Sequence, residues 1–207
     1  MRNGMVIDLA RCTGCHACAI ACKAQHGTPT GVWWSKVLES EEGTYPSTRV
    51  IYTPVMCMHC ENAPCVNVCP SGASYKDEDG SVQVDYDKCI GCRYCEAACP
   101  YDARTFVESI EPGYTDVGFT PYEEVMYRNH QVGVVEKCNL CKDVRADGSE
   151  PACVRTCPAY ARHFGDLDDP TSEVSQLVAD YHASQKMPEL GTNPSVYYLA
   201  KTRVTRR

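Results

Sequence analysis

Sixteen cysteines, sorting into four groups of four with none left over, constrain this 207-residue chain more than any other feature. Group one is Cys12, Cys15, Cys18 and Cys22, spaced C-x2-C-x2-C-x3-C. Group two is Cys57, Cys60, Cys65 and Cys69, spaced C-x2-C-x4-C-x3-C. Group three is Cys89, Cys92, Cys95 and Cys99, with the spacing of group one. Group four is Cys138, Cys141, Cys153 and Cys157, spaced C-x2-C-x11-C-x3-C. Pro70, Pro100 and Pro158 follow the last cysteine of groups two to four, and Lys23 takes that place in group one. Leu, Ile, Val and Phe make up only 36 of the 207 residues, a share close to that of disordered chains. Yet there are 13 tyrosines and no long polar tract. Aliphatic burial alone therefore does not account for a core, and the cysteines have to help supply one.

Three chemistries compete for the thiols. A secreted disulfide framework scatters its cysteines more widely than this. A structural zinc site pairs two C-x2-C knuckles across a longer loop. Group four alone would suit zinc, but three cysteines at three-residue steps wrap a cube better than a single ion. The run C-x2-C-x2-C-x3-C-P is the bacterial ferredoxin signature, in which the fourth cysteine ligates the other cluster of a pair. Sixteen thiolates are enough for four [4Fe–4S] clusters. A tight loop turns three cysteines toward one cluster and its N–H groups toward the sulfides. The fourth cysteine, a helical turn on, faces the neighbour, and proline ends that turn. Gly14 and Gly91 are expected where backbone passes close to sulfide. Cys92 occupies a position where a non-thiolate would leave three irons, so its identity favours four.

Groups two and three enclose SYKDEDGSVQVD, which reads as two strands about a turn at Asp79-Gly80. They form a compact two-cluster unit. Groups one and four must then form the other pair from opposite ends of the chain. The expected fold is α+β: two bacterial-ferredoxin-like (βαβ-type) modules with loop insertions, a C-terminal helix and an extended arm. Residues 1–49 plus 109–168 form a discontinuous module, 50–108 an inserted one, and 169–207 the helix and docking arm. Crossing over within each pair gives four ligand sets. They are Cys12/Cys15/Cys18/Cys157, Cys138/Cys141/Cys153/Cys22, Cys57/Cys60/Cys65/Cys99 and Cys89/Cys92/Cys95/Cys69. Asp169-Pro170 reads as a helix start, with Val174, Leu177, Val178 and Tyr181 on one face packed on the core and Pro188 as the stop.

Other residues read less sharply. His16 and His59 lie in cluster loops that already have four cysteines, so neither is expected to ligate iron. Trp33-Trp34 reads as core filler. Lys137, Lys142 and Arg145 flank group four, as solvated cations or as charges that raise a cluster's potential. The net charge of −7, from 20 Lys plus Arg against 27 Asp plus Glu, argues against a nucleic-acid partner. Lys201 to Arg207 carries four positive charges, as a solvated tail or a partner-docking arm. No stretch approaches the about 20 apolar residues of a membrane span. MRNGMVIDLA does not read as a secretory signal. The chain is expected in the cytoplasm, or exported folded with a partner that bears a twin-arginine leader.

Group two, CMHCENAPCVNVCPSGA, and group four, CNLCKDVRADGSEPACVRTCPAYARHFGDLDDP, complete a pattern that resembles the iron–sulfur electron-transfer subunit of the dimethyl sulfoxide reductase family. EEGTYP and PELGTNPSVYY look closest to the small subunits of arsenate respiratory reductase, pyrogallol transhydroxylase and catechol dehydroxylases. The resemblance spans essentially the whole chain. It implies four [4Fe–4S] clusters in a line, exchanging electrons with a large catalytic chain that holds molybdenum or tungsten bis-pterin guanine dinucleotide. Group one's cluster would lie nearest that chain.

The expected function is thus an electron-transfer subunit of an anaerobic molybdopterin oxidoreductase, not an enzyme on its own. Its other electron partner would be a quinol-oxidising membrane subunit or a soluble donor. The alternative is a stand-alone polyferredoxin or an iron–sulfur redox regulator, for which the linkers and helix are surplus. A radical enzyme would need a cluster with three cysteines, and every group here has four.

Overall fold

The computed structural model describes residues 1–145 and 149–199. The basic tail Lys201 to Arg207 lies outside the described residues. The strands are β1 (Asn3–Asp8), β2 (Ser35–Glu42), β3 (Arg49–Met56), β4 (Ser74–Lys76), β5 (Val82–Val84), β6 (Thr105–Phe106), β7 (Val135–Glu136), β8 (Arg162–Asp166), β9 (Ser184–Gln185) and β10 (Val196–Leu199). The helices are α1 (Ala17–His26), α2 (Pro64–Asn67), α3 (Tyr94–Ala97), α4 (Pro121–Met126), α5 (Lys142–Arg145), α6 (Ala152–Arg155) and α7 (Glu173–Asp180). Small helices and strands are mixed, as expected of an α+β ferredoxin-like chain.

The largest sheet has the order β8-β1-β10-β9. In β1 the run Met5-Val6-Ile7 is fully buried on both faces. That is why it reads as a continuous apolar stretch and not an alternating one. Met5 and Ile7 join the main core, while Val6 packs with Val174 and Leu177 of α7 and Leu199 of β10. The apolar face expected on α7 is thus the one that covers the sheet.

Two of its boundaries differ from expectation. Ser172 is the N-cap, its hydroxyl accepting from Ser175 N at 3.2 Å. Asp169 instead caps the preceding turn through Thr171 N at 2.8 Å. The helix ends at Asp180, before β9, so Pro188 starts a short 3-10 turn and stops nothing.

The stretch expected as an extended arm is built into the body. Residues 192–195 run across the group-two loop, with Asn62 N donating to Thr192 O at 3.1 Å and Ser195 N donating to Met58 O at 2.9 Å. The chain then enters the sheet as β10, parallel to β1 with Val6 opposite Tyr197. Val196, Tyr198 and Leu199 are buried. The short VYYL segment lacks clear alternation, so its inner position follows from the pairing partner and not from its own pattern.

Residues 23–56, rich in Gly, Pro, Tyr and acid and read from the sequence as loops and ribbons with Arg49 to Tyr52 in one of them, hold an eight-on-eight antiparallel ribbon, β2 with β3. Its base at Ser35 and Met56 is buried, and its far half is exposed. The hairpin β4–β5 forms about the expected turn, and that turn ties the two halves of the molecule together. Asp79 accepts from Asn3 Nδ2 at 2.9 Å and from Arg145 Nη2 at 2.8 Å, and its other oxygen accepts from Ser81 N at 3.0 Å.

Burial opposes the Asp79 carboxylate, but these donors outweigh it and hold its pKa well below the ordinary carboxylate value. A depressed folded pKa contributes stability above the unfolded value of about 3.9, and that stability is lost as pH falls through the folded value. Asp79→Asn is therefore expected to lower the melting temperature by a constant amount between pH 5 and 8. The gap from the unsubstituted protein should narrow below pH 4 in thermal melts across that range.

Candidate metal centres

The four cysteine groups share one backbone device. Gly14 (φ 70°), His16 (59°), Gly91 (68°) and Arg93 (62°) take the left-handed conformation in groups one and three, and His59 (45°) and Leu140 (56°) do so in groups two and four. Each turns the chain sharply, so the first cysteines sit on a folded-back loop. Regular helix starts only after it and carries Cys18 and Cys22 on α1, Cys65 on α2, Cys95 on α3 and Cys153 on α6.

Packing within the protein gives a reason for glycine at both positions. A Cβ on Gly14 would collide with the Tyr52 ring, and one on Gly91 with the carbonyl oxygen of Gly133. Packing on the outside of the loop and positive φ exclude a side chain at both positions.

All sixteen cysteines are free thiols. Cys12, Cys15, Cys18 and Cys157 line one cavity. Cys22, Cys138, Cys141 and Cys153 line a second, and Cys69, Cys89, Cys92 and Cys95 a third. Cys57, Cys60, Cys65 and Cys99 are also neighbours: burial pushes the Cys60 thiol up to about 12, and the other three add to the push. Among the described residues, no three His, Cys, Asp or Glu side chains close on a point that one ion would fill. The thiols border voids instead.

Burial dominates the electrostatics. It raises Cys22 well above the ordinary thiol value, with Cys138, Cys153 and Cys141 adding to it. It raises Cys138 as well, and brings Cys141 to about 11. Bound iron removes this cost, because a thiolate on a cation no longer stands as an isolated buried charge. Cys57 goes the other way. Burial opposes its thiolate, but His59, Lys137 and Arg104 outweigh burial and hold it well below the ordinary value.

Donors surround the thiols. Backbone N–H groups of Ser74, Leu140 and Ala161 point at Cys69 (3.4 Å), Cys138 (3.4 Å) and Cys157 (3.3 Å). Nε2 of His26 lies 3.2 Å from Cys141 Sγ. Burial holds His26 near 4 and hence neutral, so the ring and the thiol share a hydrogen bond without a formal charge on the imidazole. His59 is fully buried, with Nδ1 accepting from Val82 N at 3.0 Å. Nε2 of His59 and both Nε and Nη2 of Arg104 are buried without a partner. Unpartnered buried donors beside thiols suit an anionic cluster.

The remaining candidates separate clearly. His16 is exposed, 3.2 Å from Glu39. Trp34 is core and donates to Glu136 at 3.3 Å, while Trp33 is half-exposed beneath Lys23. Lys137 is buried, whereas Arg145 is paired with Asp79 and Lys142 with Asp77. Arg104 and Arg162, both 3% exposed, are not among the residues that spacing singles out. A signal for them exists. CPYDAR at 99–104 and CPAYAR at 157–162 repeat C-P-x-x-A-R, with arginine five residues after the last cysteine of a group.

Loops of this geometry around thiol-lined voids define a ferredoxin-type iron–sulfur protein. Two family models, each described as a 4Fe-4S dicluster domain, match residues 48–112 and 114–167 in one case and 11–73 in the other. The chain belongs to the iron–sulfur subunits of the dimethyl sulfoxide reductase family of molybdoenzymes, and it is an electron-transfer subunit. It is 46% identical to a protein of Halobacterium salinarum provisionally assigned as the iron–sulfur subunit of a dimethyl sulfoxide reductase, over 95% of this chain and 78% of that one. It is 44% identical to a subunit of the selenate reductase of Mesobacillus selenatarsenatis, over 94% and 70%. It is 40% identical to the iron–sulfur subunit of the arsenate respiratory reductase of Shewanella sp. strain ANA-3, over 96% of both. Relatives named as subunits of reductases imply a partner chain. Among the described residues, no helix is long and apolar enough to cross a membrane.

Gly91→Ala puts a methyl group against Gly133 O as well as a side chain at positive φ, whereas Gly72, also at positive φ, has open space around it. Gly72→Ala is expected to cost only the left-handed strain, about 1–2 kcal/mol. Gly91→Ala should cost distinctly more, read as a larger fall in the melting temperature of the holoprotein.

Proposed function

We propose that this chain holds four [4Fe–4S] clusters and passes single electrons between an external carrier and a molybdenum or tungsten bis-pterin catalytic subunit. The ligand sets are Cys12/Cys15/Cys18/Cys157, Cys22/Cys138/Cys141/Cys153, Cys57/Cys60/Cys65/Cys99 and Cys69/Cys89/Cys92/Cys95. When bound, the clusters supply one-electron exchange without bond-making. The observation that carries the reading is the gathering of these thiols into four separate neighbourhoods, each crossing between two sequence groups.

The neighbourhoods are ordered. Cys18 of the first raises the cost of ionising Cys153 of the second. Cys57 of the third does the same to Cys138 of the second. Arg104 faces Cys57 and Cys65 of the third and Cys95 of the fourth. Cys15 in the first and Cys92 in the fourth are exposed, while the second set is entirely buried. Electrons thus have two points of exchange, one at each end, and a dry interior between them. The first end faces the catalytic chain, and the fourth a quinol-oxidising membrane subunit or a soluble donor. In this reading the chain performs no chemistry alone, and its modules are 1–49 plus 109–168 and 50–108. The compartment follows the partner, cytoplasmic or exported.

About 16 iron and 16 sulfide per chain are expected from the anaerobically purified complex, together with a molybdopterin-bearing chain. A lone chain with fewer irons would favour the polyferredoxin reading. Cys18→Ser and Cys157→Ser should alter the same paramagnetic signal, and Cys22→Ser a different one. A shared signal for Cys18 and Cys22 would overturn the grouping. Chelating the iron should unfold the protein, since metal and fold are coupled. Retention of near-ultraviolet dichroism after full iron loss would contradict that.

A further inference from the structure

We propose that the protein places one buried cation in each gap between successive clusters, Arg162, then Lys137, then Arg104, and that each sets the potentials of the two clusters flanking it. The inference rests on the ligand grouping above.

The three side chains are each 3% exposed. Among the described residues none pairs with a carboxylate. A buried cation without a counter-ion is costly enough that a native fold avoids it. The negative charge available to these three is that of the thiolates.

Their placement is specific. Arg162 opens β8, with Nη2 donating to Cys18 Sγ of the first set at 3.4 Å, and Nη1 donating to the sulfurs of Met5 (3.6 Å) and Met56 (3.4 Å). Its charge also favours the thiolate of Cys153, in the second set. Lys137 precedes Cys138 of the second set and donates to Cys138 O at 2.8 Å and to Val82 O. Its charge acts on Cys57 and Cys65 of the third. Arg104 is anchored by Nη1 on Ser74 Oγ at 2.8 Å, and the rest of its guanidinium is turned to the thiol of Cys65 with no oxygen partner. It faces Cys57 and Cys65 on one side and Cys95 on the other. By contrast Arg145 and Lys142, which also flank cysteines of group four, are paired with Asp79 and Asp77.

Adding an electron to a cluster adds negative charge beside a neighbour that is already negative. A cation between the two stabilises both reduced forms and weakens their mutual repulsion. Removing it should lower two potentials together and leave the other two in place. A residue that merely fills space has no such pairwise signature.

The test is a redox titration of the purified complex followed by electron paramagnetic resonance, with iron counted in each sample. Four signals and full iron in the unsubstituted complex establish the clusters independently of the variants. Fewer than four would defeat the grouping rather than this assignment. Arg162→Gln should lower the midpoints of the first and second clusters, Lys137→Gln those of the second and third, and Arg104→Gln those of the third and fourth. Arg162→Lys should recover most of the shift. A shift in one cluster only, in all four alike, or in none overturns the proposal. If every neutral variant loses iron, the charge-conserving variants Arg162→Lys, Lys137→Arg and Arg104→Lys decide. Full iron at near-native potentials in those supports the proposal, and iron loss in them too assigns the residues to packing and overturns it.

Discussion

Keeping negative charge inside a small protein is the constraint from which most of this structure follows. A buried ion costs several kcal/mol even after the protein relaxes around it, and sixteen thiolates would multiply that many times over. Eight of the cysteines belong to the main buried cluster, among Met5, Ile7, Val55, Met58 and Leu140. There the cavity-lining thiols of the second set are driven toward the protonated form. Only bound metal, oriented N–H groups and buried cations reverse that tendency. The backbone donors at Cys69, Cys138 and Cys157, the ring of His26, and the guanidinium groups of Arg104 and Arg162 converge on the thiols accordingly.

The same constraint explains the tie between the ends of the chain. A cavity that takes Cys12, Cys15 and Cys18 from the start and Cys157 from far along the chain can exist only if those segments are held side by side. The antiparallel pairing of β1 with β8 does this, with Met5 opposite Phe164, and it brings Arg162 to the rim of that cavity. The parallel pairing of β1 with β10 closes the other edge of β1 and carries residues 192–195 across the group-two loop. Cys22, Cys138, Cys141 and Cys153 are buried, while Cys15 and Cys92 remain exposed.

Local chemistry was legible in the sequence wherever a short stretch decides its own conformation. The turn at Asp79-Gly80, the apolar face of α7 and the helical position of Cys22 appear where pattern and spacing put them, whereas Cys69, Cys99 and Cys157 lie just past the short helices that carry Cys65, Cys95 and Cys153. Boundaries were less legible. Asp169 and Ser172 are both good caps, and the choice between them depends on Ser172 also donating to Asp166 O at 2.6 Å. The β2–β3 ribbon was legible only in part, at Arg49 to Tyr52 on its second strand, because the exposed outer half of β2 is acidic and polar and the pairing is fixed by the buried base at Ser35 and Met56. The strand β10 was read as an arm because VYYL looks the same in an arm and in a sheet.

The sequence by itself determined that the chain binds iron and sulfide, and which thiols are available. Spacings of two and three residues are local geometry that no distant contact can alter. Only the tertiary structure decided which cations stay inside. Arg104, Lys137 and Arg162 look like ordinary basic residues along the chain, as Lys142 and Arg145 do. What separates them is whether folding leaves a carboxylate within reach, and that depends on segments as far apart as Asp77 and Lys142, or Cys18 and Arg162.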